Sequence, residues 1–416
     1  MHLPCPLIAI ALASSMFVAP TAAMSIQPYP GGREADIWVL AGQSNMQGAG
    51  IISREYRANP RVMVYDLGGE WLPAIPPTHR MMASKAPVFK RLLFKNIPDL
   101  TEENWPRRVK EFMAKPWGGV GPDLSFAERV AGVTGHNIGL VPCAFGGTSM
   151  ADWDPAGRDR GGETLYGNMI ERIRSVGGRI KGILWYQGES DAMSPESVRS
   201  FESNFLNLVD SIRRDTGYPE LPFLYVQICR YNLQNLDNGV FWETAREIQR
   251  TAAGKRKNLW MVASVDLPMD DLAHVSESGQ ERLGHRLAEV ALTYVYGLKG
   301  HGTPVDYLSY EILPSDNPLH HSLRVRFSGV TGRLQAPGRL AGFEIRSDDP
   351  QRDGPVVYKA ELDPDDPAAV LVWCSKEITA PVRLYYAPGL VPYANLTDSL
   401  DMAVPGFGPV TIEPRR

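Results

Sequence analysis

Between residues 36 and 297, short apolar runs alternate with amphipathic stretches. The runs fall at 37–41, 138–144, 180–186, 222–228 and 259–265, each brief and almost continuous. Such runs are expected of strands covered on both faces, where neither face meets water. The stretches between them keep helical spacing. Leu124, Ala127, Val130 and Ala131 share one face, and Leu165, Met169, Ile173 and Val176 another. Val198, Phe201, Phe205, Leu208 and Ile212 form a third, longer face. Gly135, Gly177 and Gly217 stand where these helices are expected to stop. The repetition predicts an α/β fold: a five-stranded parallel sheet between helical layers, a three-layer α/β/α sandwich.

After residue 300 the period changes. "SLRVRFSGV", "LAGFEIRS", "VVYKAELD", "AVLVWCS" and "PVRLYYAP" alternate with a period of two and are separated by Gly, Pro and Asp. They predict an antiparallel, sandwich-like β module over residues 301–416. Segment 50–123 is less regular, rich in Pro, Arg and Trp (Trp71, Trp105, Trp117), and reads as an insertion bordering the site.

Composition narrows the class. Hydrophobic residues make up 44% and charged residues 22%, as in ordinary soluble domains. Lys and Arg (43) nearly balance Asp and Glu (47), for a net charge of −4. With no basic stripe, nucleic acid is not an expected partner. Residues 1–23 read as a secretory signal peptide: an apolar core over 7–18, then Thr21-Ala22-Ala23 before the cleavage point. The expected location is therefore secreted or periplasmic. The core is shorter than the ~20 apolar residues of a membrane span, and no later segment is a candidate, so no span is expected after cleavage. Cleavage would leave Cys143, Cys229 and Cys374, too few and too scattered for a disulfide framework. Cys143 and Cys229 lie in apolar runs and are expected in the core.

Polar clusters follow the strands. "GQSNM" (42–46) follows the first run, "FGGTSMADW" (145–153) the second, "QGESDA" (187–192) the third and "DLPMDDLAH" (266–274) the last. Parallel α/β sheets bind ligands outside the carboxyl ends of their strands, which makes Ser44 a candidate nucleophile rather than a turn residue. A serine needs a base, commonly a histidine oriented by a carboxylate. Asp271 and His274 stand three residues apart; Asp270 and Asp266 are nearby competitors for the carboxylate. Oxyanion donors are also required. The Gly146-Gly147-Thr148 turn offers a backbone N–H and Gln187 a side-chain amide.

Together "GQSNMQG", "GVGPDLSFA", "GGTSMADW", "WYQGESDA" and "DLAH" resemble the SGNH hydrolases, in the branch of sialate O-acetylesterases and related carbohydrate acetylesterases. The tail "PVRLYYAP…PYANL" is similar to the β module that follows the catalytic domain there. The resemblance implies the flavodoxin-like SGNH fold over 24–300 and a serine esterase that removes O-acetyl groups from a glycan or sugar, in the manner of a sialate O-acetylesterase. It implies Ser44 as nucleophile, His274 as base and Asp271 as its orienter. The oxyanion hole would take N–H groups of Ser44 and Gly146, with Gly147 as alternative, and the amide of Gln187. Gln43, Asn45 and Glu189 are expected to contact substrate. No metal and no cofactor is expected: no HExxH is present. Acetylxylan and pectic esterases of the same fold are the alternatives for substrate, and a non-catalytic sugar-binding protein the alternative for class. Only a dozen residues (24–35) separate the signal from the strand–helix region that holds "GQSNM", whereas sialate O-acetylesterases usually carry β structure there.

Overall fold

The computed structural model describes residues 26–32, 34–115, 118–176, 179–232, 239–315, 317, 320–347 and 354–415. The expected signal peptide, Trp117 and Gly177 lie outside them. The chain opens with β1 (Ala35–Gly42), α1 (Ser44–Gln47), β2 (Val62–Tyr65), β3 (Trp71–Pro73), α2 (Pro87–Asn96), α3 (Trp105–Ala114) and α4 (Asp123–Thr134). It continues through β4 (Asn137–Pro142), α5 (Leu165–Ser175), β5 (Arg179–Tyr186), α6 (Pro195–Thr216), β6 (Phe223–Gln227), α7 (Gly239–Ala252), β7 (Leu259–Ala263) and α8 (Glu277–Tyr294). The remainder is strand: β8 (Asp306–Ile312), β9 (His321–Ser328), β10 (Phe343–Ser347), β11 (Val357–Leu362), β12 (Ala369–Cys374), β13 (Val382–Tyr386) and β14 (Phe407–Ile412).

The five expected strands are present, but the sheet has seven, in the order β3-β2-β4-β1-β5-β6-β7. The correction comes from segment 50–123. Its β2 pairs parallel with β4, and β3 adds an antiparallel edge beyond it. These strands escaped a reading by periodicity because they are only four and three residues long.

The central strand is β1, buried at every position and flanked by β4 and β5. Strand order reverses around it, so its carboxyl end opens on the crevice between its neighbours. Gly42 makes that end possible. Its φ is +125°, and a side chain there would sit 2.1 Å from the Tyr186 carbonyl. The chain therefore leaves the sheet without a clash, Gln43 N–H bonds Tyr186 O at 2.8 Å, and Ser44 begins α1 at the rim.

Trp38 on β1 packs edge-to-face on Phe126 of α4, centroids 4.8 Å apart. On the opposite face Val39 and Ala41 join a second core with Leu165, Met169 and Phe205. Burying each large apolar side chain contributes roughly 1.5–3 kcal/mol. That opposes the entropy of ordering the loops above the sheet.

The C-terminal strands form two antiparallel sheets, β10-β13-β14 and β11-β12-β9-β8. They pack on the α/β unit through one continuous apolar cluster that includes Trp242, Leu287, Leu384 and Tyr386. Two buried arginines cross the junction. Arg286 of α8 pairs with Asp266 at 2.7 Å and donates to the Asp401 carbonyl at 2.6 Å. Arg246 of α7 donates to the carbonyls of Ile228, Cys229, Ala387 and Gly389. Among the described residues no helix is long and apolar enough to cross a membrane.

Candidate active site

A pocket of about 630 Å³ opens over the carboxyl end of β1. Ser44, Gly146, Glu189 and His274 line it together, although they are far apart in sequence. Each leaves a different strand: Ser44 follows β1, Gly146 follows β4, Glu189 follows β5 and His274 follows β7.

His274 sits on a tight loop. Asp270 N–H bonds the His274 carbonyl at 2.9 Å and Ser276 N–H bonds Pro268 O at 2.9 Å, closing the turn before α8. Within it, His274 Nδ1 lies 2.7 Å from Asp271 Oδ2. Asp271 Oδ1 accepts the backbone N–H groups of Ala273 and His274, each at 2.8 Å. Partial burial alone would raise the Asp271 pKa. The hydrogen bonds from His274 and these two amides outweigh it and hold the carboxyl below its usual range. An ionised Asp271 accepts Nδ1–H and leaves Nε2 as the free nitrogen of the ring. Nε2 has no hydrogen-bond partner among the described residues. The competitors are engaged elsewhere: Asp270 Oδ2 accepts Ile51 N–H at 2.7 Å, and Asp266 pairs with Arg286 and Arg282.

Gly146 lies against Ser44: a side chain there would meet Ser44 Cβ at 3.3 Å. Its N–H donates to Gln47 Oε1 at 2.7 Å, so an acceptor oxygen already lies before it. Gly147, at φ +71°, has open space above it. The Ser44 and Gly147 N–H groups have no partner among the described residues.

Two expected site residues stand elsewhere. Gln187 is fully buried and absent from the pocket lining. Its amide nitrogen donates to Asp191 Oδ2 and to the Thr148 carbonyl. It therefore ties two loops together and has no free N–H for an oxyanion. Asn45 is also fully buried and touches no open space. It donates to Glu189 Oε1 at 2.9 Å and to the Ala273 carbonyl at 3.2 Å, and accepts from Val275 N–H at 3.0 Å. Gln43 lines the pocket; turned so that its NH₂ donates, it reaches Glu189 Oε2 at 3.1 Å and Thr148 O at 3.2 Å. Burial raises the Glu189 pKa, with the Asn45 hydrogen bond opposing it.

Sequence reasoning missed Gln47, one turn after Ser44, whose spacing was the available signal. It also missed the pocket walls. Met81, Leu93 and Ile97 of the 50–123 segment form one side, and Tyr231 stacked on Trp242 (centroids 5.0 Å, planes 16° apart) the other. The segment thus borders the site, as expected. Among the described residues no group of three or more His, Cys, Asp or Glu gathers as a metal site.

The family model for "Carbohydrate esterase, sialic acid-specific acetylesterase" matches residues 34–293. A probable carbohydrate esterase of Arabidopsis thaliana is 31% identical over 264 residues, 62% of this chain and 90% of that protein. The fold is similar to the crystal structure of XAC1771, a carbohydrate acetylesterase from Xanthomonas citri. That likeness has a TM-score of 0.63 and 20% identity, and covers 89% of this chain and 80% of the other. A family match of this extent over the unit that carries the pocket is decisive: the chain belongs to this carbohydrate esterase family and is a carboxylic ester hydrolase.

Proposed function

We propose that the chain is a serine esterase that removes O-acetyl groups from a carbohydrate through an acetyl-enzyme on Ser44. One observation carries the reading: His274, held by Asp271 at 2.7 Å with Nε2 free, shares a pocket with Ser44. Ser44 Oγ attacks the acetyl carbonyl carbon while His274 Nε2 takes its proton. The carbonyl electrons move onto the oxygen, which the Ser44 N–H stabilises together with the Gly146 N–H. To reach Gly146, the substrate oxygen displaces Gln47 Oε1. As the tetrahedral species collapses, the bond to the sugar oxygen breaks and that oxygen takes the proton from His274. Water, deprotonated by His274, then attacks the acetyl-serine; acetate leaves and Ser44 recovers its proton. Asp271 stays ionised throughout and steadies the imidazolium.

The pocket also favours one kind of sugar. Its lining carries the Glu189 carboxylate and no Lys or Arg among the described residues. A sialic acid carboxylate would find no cationic partner there, which supports a neutral O-acetylated sugar as the substrate. The N-terminal pattern supports export, with residues 1–23 removed. Rapid-quench mass spectrometry during turnover of an acetyl ester tests the mechanism. One acetyl group on the Ser44 peptide is expected; an acetyl group on another residue, or none under conditions of a kinetic burst, contradicts it.

A further inference from the structure

We propose that the C-terminal module carries a second sugar-binding site, a groove that holds the glycan chain bearing the ester. It rests on the reading that the substrate is a sugar ester. The groove lies where the edge strands of the two sheets, β10 and β11, face one another. Two adjoining cavities of about 650 and 400 Å³ share Arg339, Leu340, Tyr358, Lys359 and Ala360.

Its chemistry is that of a sugar platform. Tyr358 and Tyr393 flank the smaller cavity and are 44% and 64% exposed. The exposed parts of these rings offer flat apolar surface, which suits the C–H face of a pyranose. Arg339, Lys359 and Glu361 supply hydrogen-bonding groups beside them. The aromatic placement has a backbone cause. Pairing of β11 with β12 shifts between Val357 and Lys359, so Tyr358 is the extra residue of a bulge. A bulge re-aims the side chain it carries.

The walls are preformed. Asn395 donates to the carbonyls of Pro337 and Arg339 at 2.9 and 3.0 Å and accepts from Ala341 N–H at 3.1 Å. It therefore fixes the 337–341 segment to the loop that carries Tyr393. The same loop reaches the catalytic pocket: the Leu390 carbonyl accepts Tyr231 N–H at 2.9 Å. Three residues of chain span at most about 10 Å, so Tyr393 stands close to the backbone that is bonded to the Tyr231 wall. A glycan chain longer than one sugar is long enough to reach from one to the other. An added protein strand does not fit the groove. The β11 edge is broken by its bulge, and the Tyr358 carbonyl already accepts from Arg339 at 2.6 Å.

The test uses the full chain in affinity electrophoresis through gels containing soluble acetylated xylan, acetylated glucomannan, acetylated pectin or sialylated mucin. At least one polymer should retard the protein, and Tyr358→Ala with Tyr393→Ala should weaken that binding about tenfold or more. KM for that polymer should rise with kcat held. Hydrolysis of 4-nitrophenyl acetate should stay within about twofold, and Tyr→Phe at both positions should restore binding. Retardation by none of the polymers, or equal retardation of wild type and double variant, overturns the proposal. So does loss of binding accompanied by a lower melting temperature that Tyr→Phe fails to reverse. A wild type that binds polymer but leaves 4-nitrophenyl acetate intact would instead condemn the esterase mechanism.

Discussion

Asn45 grips the backbone on both sides of His274. Its carboxamide donates to the carbonyl of Ala273 and accepts from the N–H of Val275, at 3.2 and 3.0 Å. The residue next to the proposed nucleophile thus fixes the loop of the proposed base. Gln280 of α8 completes the arrangement by donating to the Asn45 carbonyl at 3.2 Å. Asn45 is a positioning residue, and Asn45→Ala should lower kcat about 10- to 100-fold with KM little changed, since small misplacements of a base are costly. The check is steady-state kinetics beside a urea melt. A rise in KM alone would return Asn45 to substrate contact.

Asp271→Asn should reduce kcat strongly, by about 10²- to 10⁴-fold, because an amide cannot hold His274 in the tautomer that leaves Nε2 basic. Asp270→Asn should stay near wild type, since Asp270 is engaged by Ile51 N–H. The two variants measured side by side decide the matter; a larger loss from Asp270→Asn would contradict the assignment. The carboxyl of Asp271 is held below its usual range, so it stays ionised well into acid. It therefore does not set the acid limb of the pH–rate profile.

Asp123, the first residue of α4, is buried with one carboxylate oxygen unpartnered among the described residues. Burial pushes its pKa up from 3.8 to about 6, against hydrogen bonds from Thr78 and the helix amides. A raised folded pKa means that the folded state binds the extra proton. The associated stability is complete below about pH 3.8 and is lost as pH rises through about 6. Asp123→Asn should remove that loss and stabilise the protein at pH 7.5 by on the order of 3 kcal/mol. The advantage over wild type should vanish near pH 4. Denaturant melts at the two pH values read the difference; a constant advantage at both would contradict the burial argument.

The residues proposed to carry the chemistry were more legible in the sequence than those that hold them in place. Ser44 follows β1 directly and Asp271 and His274 lie on the loop after β7, on the side where a parallel sheet concentrates its polar residues, and a local motif marks each. Asn45 and Gln187 belong to the same motifs, yet face inward. Asn45's partners are Glu189, Ala273 and Val275, more than a hundred residues away, and no spacing within "GQSNM" distinguishes a buried tie from a substrate contact. The fold divides similarly. Amphipathic faces marked α4, α5 and α6, whereas β3 is three residues long and β8 is only half-buried along its length. Neither carries a clear period.

The C-terminal module is expected to be indispensable to the α/β unit. Arg286 is fully buried and its ion pair with Asp266 stands at the base of the loop that carries Asp271 and His274. Arg286→Ala leaves the buried Asp266 carboxylate with only the partly exposed Arg282 as a partner and should cost about 2–4 kcal/mol in a urea melt. Truncation after Gly300 would remove Asp401 and expose the apolar face around Leu287 and Trp242, and should give an aggregating product. A monodisperse fragment with the full-length melting temperature would show that the module is independent.

The most direct test of the account is the turnover of purified, folded Ser44→Ala. Nothing else in the pocket is assigned the role of nucleophile, and α1 needs no serine hydroxyl at that position, which caps nothing. Hydrolysis of 4-nitrophenyl acetate and of an O-acetylated sugar should both fall at least about 10³-fold, with the melting temperature unchanged. Substantial residual turnover of either ester by that variant would contradict the mechanism.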